Sequence, residues 1–213
     1  ILWVGRHHHP ESPYQAPGVR AITNDARAFM KQAEKQSYDL IVFGLLDSHT
    51  LLSGMSSVRL DNFVYTRESF EDAKRLLKPG GLVCLSFAVP PDGPFPARLF
   101  NMLRDVFGHL PHTYGFESQD TMFVIGPAPG DGELKGDETV PETTAQAAKA
   151  AAHFAPTPAT DDWPFPFLPG RSWSQFPLAY AYLIGMLLVI SFVSIIATAA
   201  HGRGLSAHFL SLA

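Results

Sequence analysis

Apolar positions along this chain alternate between two spacings and then merge into one long run that has neither. Residues 19–23 (VRAIT) read as a short strand that delivers the chain to Asn24 and Asp25. Asp25 is placed to cap a helix whose apolar face carries Phe29, Met30 and Ala33. Residues 38–46 (YDLIVFGLL) are almost uninterruptedly apolar, with β-branched and aromatic members, the pattern of a strand covered on both faces. A helix is expected from Thr66, with Phe70, Ala73, Leu76 and Leu77 as its buried stripe. Glu68 near its start and Lys74, Arg75 and Lys78 near its end complement the helix dipole. Pro79-Gly80-Gly81 then stops it and feeds a strand over 82–87. A second amphipathic helix covers 97–107, with Leu99, Phe100, Leu103, Val106 and Phe107 inward. Strands near 113–117 and 121–125, separated only by Ser118-Gln119-Asp120, require an antiparallel hairpin.

Strands alternating with helices and ending in a hairpin predict an α/β fold, a doubly wound sheet with one reversed strand, over residues 1–127. From Gly126 onward Gly, Pro, Ala, Thr and acidic residues dominate. Residues 128–177 are therefore expected to be a linker and juxtamembrane segment, with a short helix over 145–154. Residues 178–200 (LAYAYLIGMLLVISFVSIIATAA) contain no charge. At about 1.5 Å per residue this run is long enough to cross a hydrocarbon core of about 30 Å as one transmembrane helix. Trp173, Phe176, Tyr180 and Tyr182 suit an aromatic belt at its start. Residues 201–213 are expected to be a loop or the start of a further membrane helix. Ile1 opens the chain without a methionine and 205–213 is again apolar, so the sequence reads as a fragment of a longer protein.

Net charge is −4 and no Lys/Arg block stands out, which gives nucleic acid nothing to recognise. The single cysteine, Cys84, sits in the apolar run 82–85 and reads as a small core residue rather than a nucleophile. His7, His8 and His9 point in different directions on a helix, and no second cluster completes a tetrahedral set, so no metal is expected.

Several short motifs carry more. His9-Pro10-Glu11-Ser12-Pro13-Tyr14, Val19-Arg20, Asn24-Asp25-Ala26-Arg27-Ala28-Phe29, Tyr38-Asp39-Leu40-Ile41-Val42 and Leu77-Lys78-Pro79-Gly80-Gly81 follow one another in order. Together they resemble the spermidine synthase family, in the later part of its methyltransferase-type Rossmann domain. Thr160-Asp161-Asp162-Trp163-Pro164-Phe165 ahead of a membrane helix is similar to bacterial members fused to transmembrane helices.

The resemblance implies S-adenosylmethionine or its decarboxylated form as cosubstrate and a polyamine or other small amine as acceptor. It also implies a bilayer partner, room for a homo-oligomer, and an inner-membrane protein whose synthase-like domain is cytoplasmic. It assigns Asp25 to the adenine amino group, with Ala26 beside it, although helix capping explains Asp25 as well. The family's catalytic carboxylate at the end of the next strand falls on Gly44, which leaves Asp47 and His49 as the candidate bases. Arg59 and Asp61, in the polar loop 53–62, are candidates for orienting a charged substrate; a surface ion pair is the other reading. The Gly-rich nucleotide loop and the ribose-binding acid of the family are expected before Ile1. A methyltransferase acting on a membrane-delivered acceptor, or a non-catalytic ligand-binding domain regulating a membrane protein, remain alternatives on this fold.

Overall fold

The computed structural model describes residues 2–44, 60–116, 120–134, 139–168, 170–171 and 178–210. Its first compact unit extends through Phe167, and residues from Leu168 onward form a second. The first unit opens with a short helix, α1 (Leu2–His7), and continues to α2 (Ala26–Gln32) and strand β1 (Tyr38–Phe43). A crossover through a 3-10 turn (Leu60–Tyr65) and α3 (Arg67–Leu76) leads to β2 (Leu77–Phe87). Then follow α4 (Pro94–Phe107), the hairpin β3 (His112–Phe116) and β4 (Asp120–Ile125), and α5 (Thr144–Phe154).

The sheet order is β1-β2-β4-β3, with β1 parallel to β2 and the other pairs antiparallel. This is a mixed α/β sheet with a reversed strand, as the alternation of spacings predicts. The second hairpin strand lies inward, between β2 and β3, so the strand that follows the turn takes the buried position.

One face of the sheet, presenting Phe43, Val83, Leu85, Phe87, Phe123 and Ile125, is sealed by the helices. Their contributions follow the expected stripes: Phe70, Ala73 and Leu76 from α3, and Leu99, Phe100 and Leu103 from α4, all almost fully buried. The basic end of α3 does more than answer its own dipole. Lys74 Nζ donates to the Val106 and Phe107 carbonyls at the end of α4, and Arg75 donates to Met30 O and Ala33 O at the end of α2. These are carbonyls that a helix cannot satisfy internally, so α3 stitches its neighbours' C-termini to itself.

Several expectations change. Residues 19–23 pair with no strand among the described residues; with β2 on one side of β1 and no ladder on the other, they lack a partner. The helix ends at Leu76, and Pro79-Gly80-Gly81 lies inside β2 rather than ahead of it. There it forms a bulge, since Tyr38 faces Leu77 whereas Leu40 faces Leu82. Gly80 takes a left-handed φ of 75°, and a Cβ on Gly81 would stand 2.9 Å from Tyr38 O, so the bulge requires both glycines. β1 is not covered on both faces: Leu40 and Val42 are 55% and 59% exposed, and no described element packs over them. The loop after β4 covers only the β3–β4 half of that face. It is held there by Tyr114 Oη, which accepts from Leu134 N–H at 2.6 Å and reaches Gly132 O.

The segment expected to be a linker is largely part of the domain. α5 buries Ala147, Ala150 and Ala151 against the core, and residues 157–167 return across α3 and α4 as a strap. Arg98 on α4, 2% exposed, anchors the strap by donating to Thr157 O at 2.7 Å and to the carbonyls of Phe165 and Pro166, with Trp163 lying over its guanidinium. Burial lowers the Arg98 pKa to about 10, which leaves it charged at neutral pH. Phe167 closes the strap by stacking on Phe95, 4.5 Å between centroids.

The second unit contains α6 (Leu178–Leu210). Residues 201–210 continue this helix rather than forming a loop or a new element. Its part Leu178–Ala199 is the one helix among the described residues long and apolar enough, by length and composition, to cross a membrane, and none of it is buried.

Arg98→Met keeps the apolar stem and removes the hydrogen bonds that this side chain makes to Thr157, Phe165 and Pro166. We expect a loss of about 2–4 kcal/mol in thermal or denaturant unfolding, together with new proteolytic cleavage between residues 157 and 167. Unchanged stability and protection would mean that the strap does not depend on this arginine.

Candidate functional site

β1 and β2 run parallel, so Phe43-Gly44 and Phe87 emerge at the same edge of the sheet, the usual position for ligands in open α/β sheets. The chain leaving β1 carries most of the candidate chemistry. Asp47, His49 and Arg59 lie outside the described residues. Asp61 belongs to the 3-10 turn Leu60–Tyr65, and its side chain also lies outside what is described. Gly44 is described: a Cβ there would meet nothing within 4 Å, and its φ is not in the left-handed range. Neither space nor backbone thus demands glycine at the position where the resemblance expects a carboxylate.

Asp25 and Ala26 sit at the start of α2. Asp25 caps the helix, its Oδ1 accepting from Ala28 N–H at 2.8 Å, while Asn24 Oδ1 accepts from the Asp25 N–H at 2.9 Å. Asp25 and Ala26 are both exposed, so capping leaves the second carboxylate oxygen open to a ligand. Capping and ligand contact are compatible. Beside this turn runs a cleft of about 620 Å³ between α2 and the free edge of β1, lined by Arg20, Ile22, Asn24, Ala26, Phe29 and Leu40, among others. Its walls are mainly apolar, with Arg20 and Asn24 among the polar groups that line it. Ala26 lines the cleft, and Asp25 is its sequence neighbour.

Behind the turn lies a polar node. Arg27, 7% exposed, donates from Nη1 to Asp72 Oδ2 at 2.8 Å and from Nη2 to Asp161 Oδ2 at 2.9 Å. The other oxygen of Asp161 accepts from Thr66 Oγ1 at 2.7 Å, and its backbone N–H donates to Glu68 Oε2 at 2.9 Å. Arg67 N–H donates to Ala159 O at 2.9 Å. The first turn of α3 and the strap are thereby locked together, with the first turn of α2 held onto both. In the sequence Arg27 and Asp161 stand in separate motifs with nothing to join them. The available signal was a charged residue on the inward side of α2, which demands a buried partner.

Cys84 lies on the β2 face opposite the core, half-covered, and burial pushes its thiol pKa up. It is therefore not the core residue that its apolar run suggests, because strand alternation turns Val83 and Leu85 to the core and Cys84 away from it. No group of His, Cys, Asp and Glu able to hold a metal occurs among the described residues.

No protein-family model matches the chain. It is 32% identical over 107 residues to the polyamine aminopropyltransferase of Nitrosomonas europaea, covering 50% of this chain and 29% of that protein. This half of the chain is spermidine synthase-like. The chain thus spans less than a third of the curated relative it matches. Among solved structures, a probable spermidine synthase from Corynebacterium glutamicum aligns with a TM-score of 0.43 and 18% identity, over 72% of this chain and 52% of that one.

The cap geometry makes a stability prediction independent of any ligand. Asp25→Ala should cost about 1 kcal/mol and Asp25→Asn only a few tenths, because asparagine caps as well as aspartate. Equal losses in thermal unfolding would show that the charge, not the cap, supports α2.

Proposed function

We propose that the protein is a membrane-anchored aminopropyltransferase-like enzyme. Its donor is decarboxylated S-adenosylmethionine or S-adenosylmethionine itself, and its acceptor is a polyamine or another small amine. The observation that carries this reading is the 107-residue match to a polyamine aminopropyltransferase. An exposed carboxylate beside a cleft of about 620 Å³, a volume within the range of small-molecule sites, supports it.

In such a reaction the acceptor nitrogen attacks the carbon next to the sulfonium. The carbon–sulfur bond breaks as the carbon–nitrogen bond forms, the sulfur leaves as a neutral thioether, and the nitrogen gives up a proton to a base. Asp25 takes the role of receiving the adenine amino group, with Ala26 beside the ring. With Gly44 carrying no side chain, the proton falls to Asp47, with His49 as the alternative base. Arg59 and Asp61 orient the charged acceptor. The apolar segment Leu178–Ala199 would span about 33 Å as a helix, which supports a membrane anchor; in this reading the membrane is the bacterial inner membrane and the domain is cytoplasmic. Gly44 also favours a second reading, a ligand-binding domain that regulates a membrane protein without turnover.

The test uses the protein purified in detergent. Asp47→Asn should abolish most aminopropyl transfer while leaving cosubstrate affinity unchanged. Asp25→Ala should weaken the cosubstrate by about 1–3 kcal/mol in calorimetry, as for a lost charge-assisted hydrogen bond. Parent protein that binds cosubstrate but transfers nothing would favour the regulatory reading. Carbonate washing should leave the protein in the membrane fraction, and release as soluble protein would refute the anchor.

A further inference from the structure

The node between α2, α3 and the strap joins two motifs that are 134 residues apart, through Arg27 and Asp161. Its geometry is specific. Arg27 is the second residue of α2, so its guanidinium lies one residue from Ala26, which lines the cleft, and two from Asp25, which caps the helix. Three fixed points hold that guanidinium: its own helix, Asp72 on α3, and Asp161 on the strap. Asp161 is itself fixed by the Thr66 hydroxyl and by Glu68, both at the start of α3. The site suits a carboxylate, because Thr66 is the N-cap residue of α3 and the helix's positive end lies there. α2 is only 7 residues long, too short to hold its own position without tertiary contacts. Its buried residues are Arg27 and Met30, so the ion pairs of Arg27 make up much of what fixes the first turn.

From this we infer that Asp161 is a positioning residue for the cosubstrate: by holding Arg27 it sets where the Asp25 carboxylate and the Ala26 backbone stand beside the cleft. The inference rests on the reading that Asp25 receives the adenine amino group. Asp161 touches no ligand in this scheme and acts only through α2. Asp72 alone cannot replace it. One carboxylate leaves the guanidinium free to pivot, whereas two carboxylates from different elements fix both its position and its plane. The strap that carries Asp161 is the segment that leads to the apolar helix, so the donor site depends on chain that reads in sequence as a linker.

The experiment is a double-mutant cycle read by calorimetry with decarboxylated S-adenosylmethionine, using the protein in detergent well below its unfolding temperature. Asp161→Asn should weaken binding by about tenfold in the parent and add almost nothing in an Asp25→Ala background, the non-additivity expected of groups acting through one contact. Affinity for a short diamine such as 1,4-diaminobutane should not change. If Asp161→Asn does not fold, Arg27→Lys serves instead, since one ammonium cannot bridge both carboxylates in the same plane, and the same non-additivity is expected. Equal weakening in both backgrounds would mean a general loss of structure and would overturn the inference. No weakening from Asp161→Asn, with a clear loss from Asp25→Ala, would also overturn it while leaving the adenine role of Asp25 intact. No loss from Asp25→Ala itself would instead remove the reading on which the inference stands.

Discussion

The guanidinium of Arg27 is the constraint on which the first unit's organisation turns. It is buried, and a buried charge is tolerated only when its partners meet it with good geometry. Two carboxylates do so here, one from α3 and one from the strap. The arrangement runs both ways: the strap cannot leave without stranding Arg27, and α2 cannot shift without stranding Asp161. The carboxylates of Asp72 and Asp161 keep 21% and 35% of their side chains exposed, so removing one costs less than the roughly 3–5 kcal/mol of a fully buried pair, yet more than the pair contributes relative to an apolar replacement. The node therefore specifies position more than it adds stability. Position is what a turn carrying a recognition carboxylate needs.

Arg98 does the same for the two ends of the strap, on either side of Asp161, by a different route. It offers its donors to backbone carbonyls and its face to Trp163. From Phe43 through Tyr65, Phe87 and Phe95 to Phe167, successive aromatic rings lie within 6.5 Å of one another. This row runs from the carboxyl end of β1, past that of β2, to the end of the strap. Two of these contacts, Tyr65–Phe87 and Phe87–Phe95, are edge-to-face and stiffen the carboxyl end of β2.

Much of this was legible in the sequence. The helix stripes of α3 and α4, the hairpin, and the apolar strand β1 all follow from side-chain spacing, because one buried face dictates each. The spermidine synthase-like kinship was legible in motifs such as Asp25-Ala26-Arg27 and Leu77-Lys78-Pro79-Gly80-Gly81. Other features were not, for physical reasons. Pro79-Gly80-Gly81 reads as a helix stop, yet whether glycines end a helix or bulge a strand depends on the partner strand, and only β1's carbonyls beside Gly81 decide it. The strap reads as a linker because its sequence is rich in proline and polar residues. Its hold comes from backbone groups and from Asp161, whose partners lie about a hundred residues away and leave no periodic trace. The exposure of Leu40 and Val42 likewise depends on what packs over them, which a strand's own residues do not encode.

Through the Arg27 node, the turn bearing Asp25 and the strap bearing Asp161 are expected to behave as one unit. Hydrogen–deuterium exchange of the protein in detergent, with and without decarboxylated S-adenosylmethionine, tests it most directly. The account predicts that the cosubstrate slows exchange in peptides covering residues 24–32 and, to a comparable degree, in those covering 157–167. Protection confined to 24–32, with the strap unchanged, would contradict it.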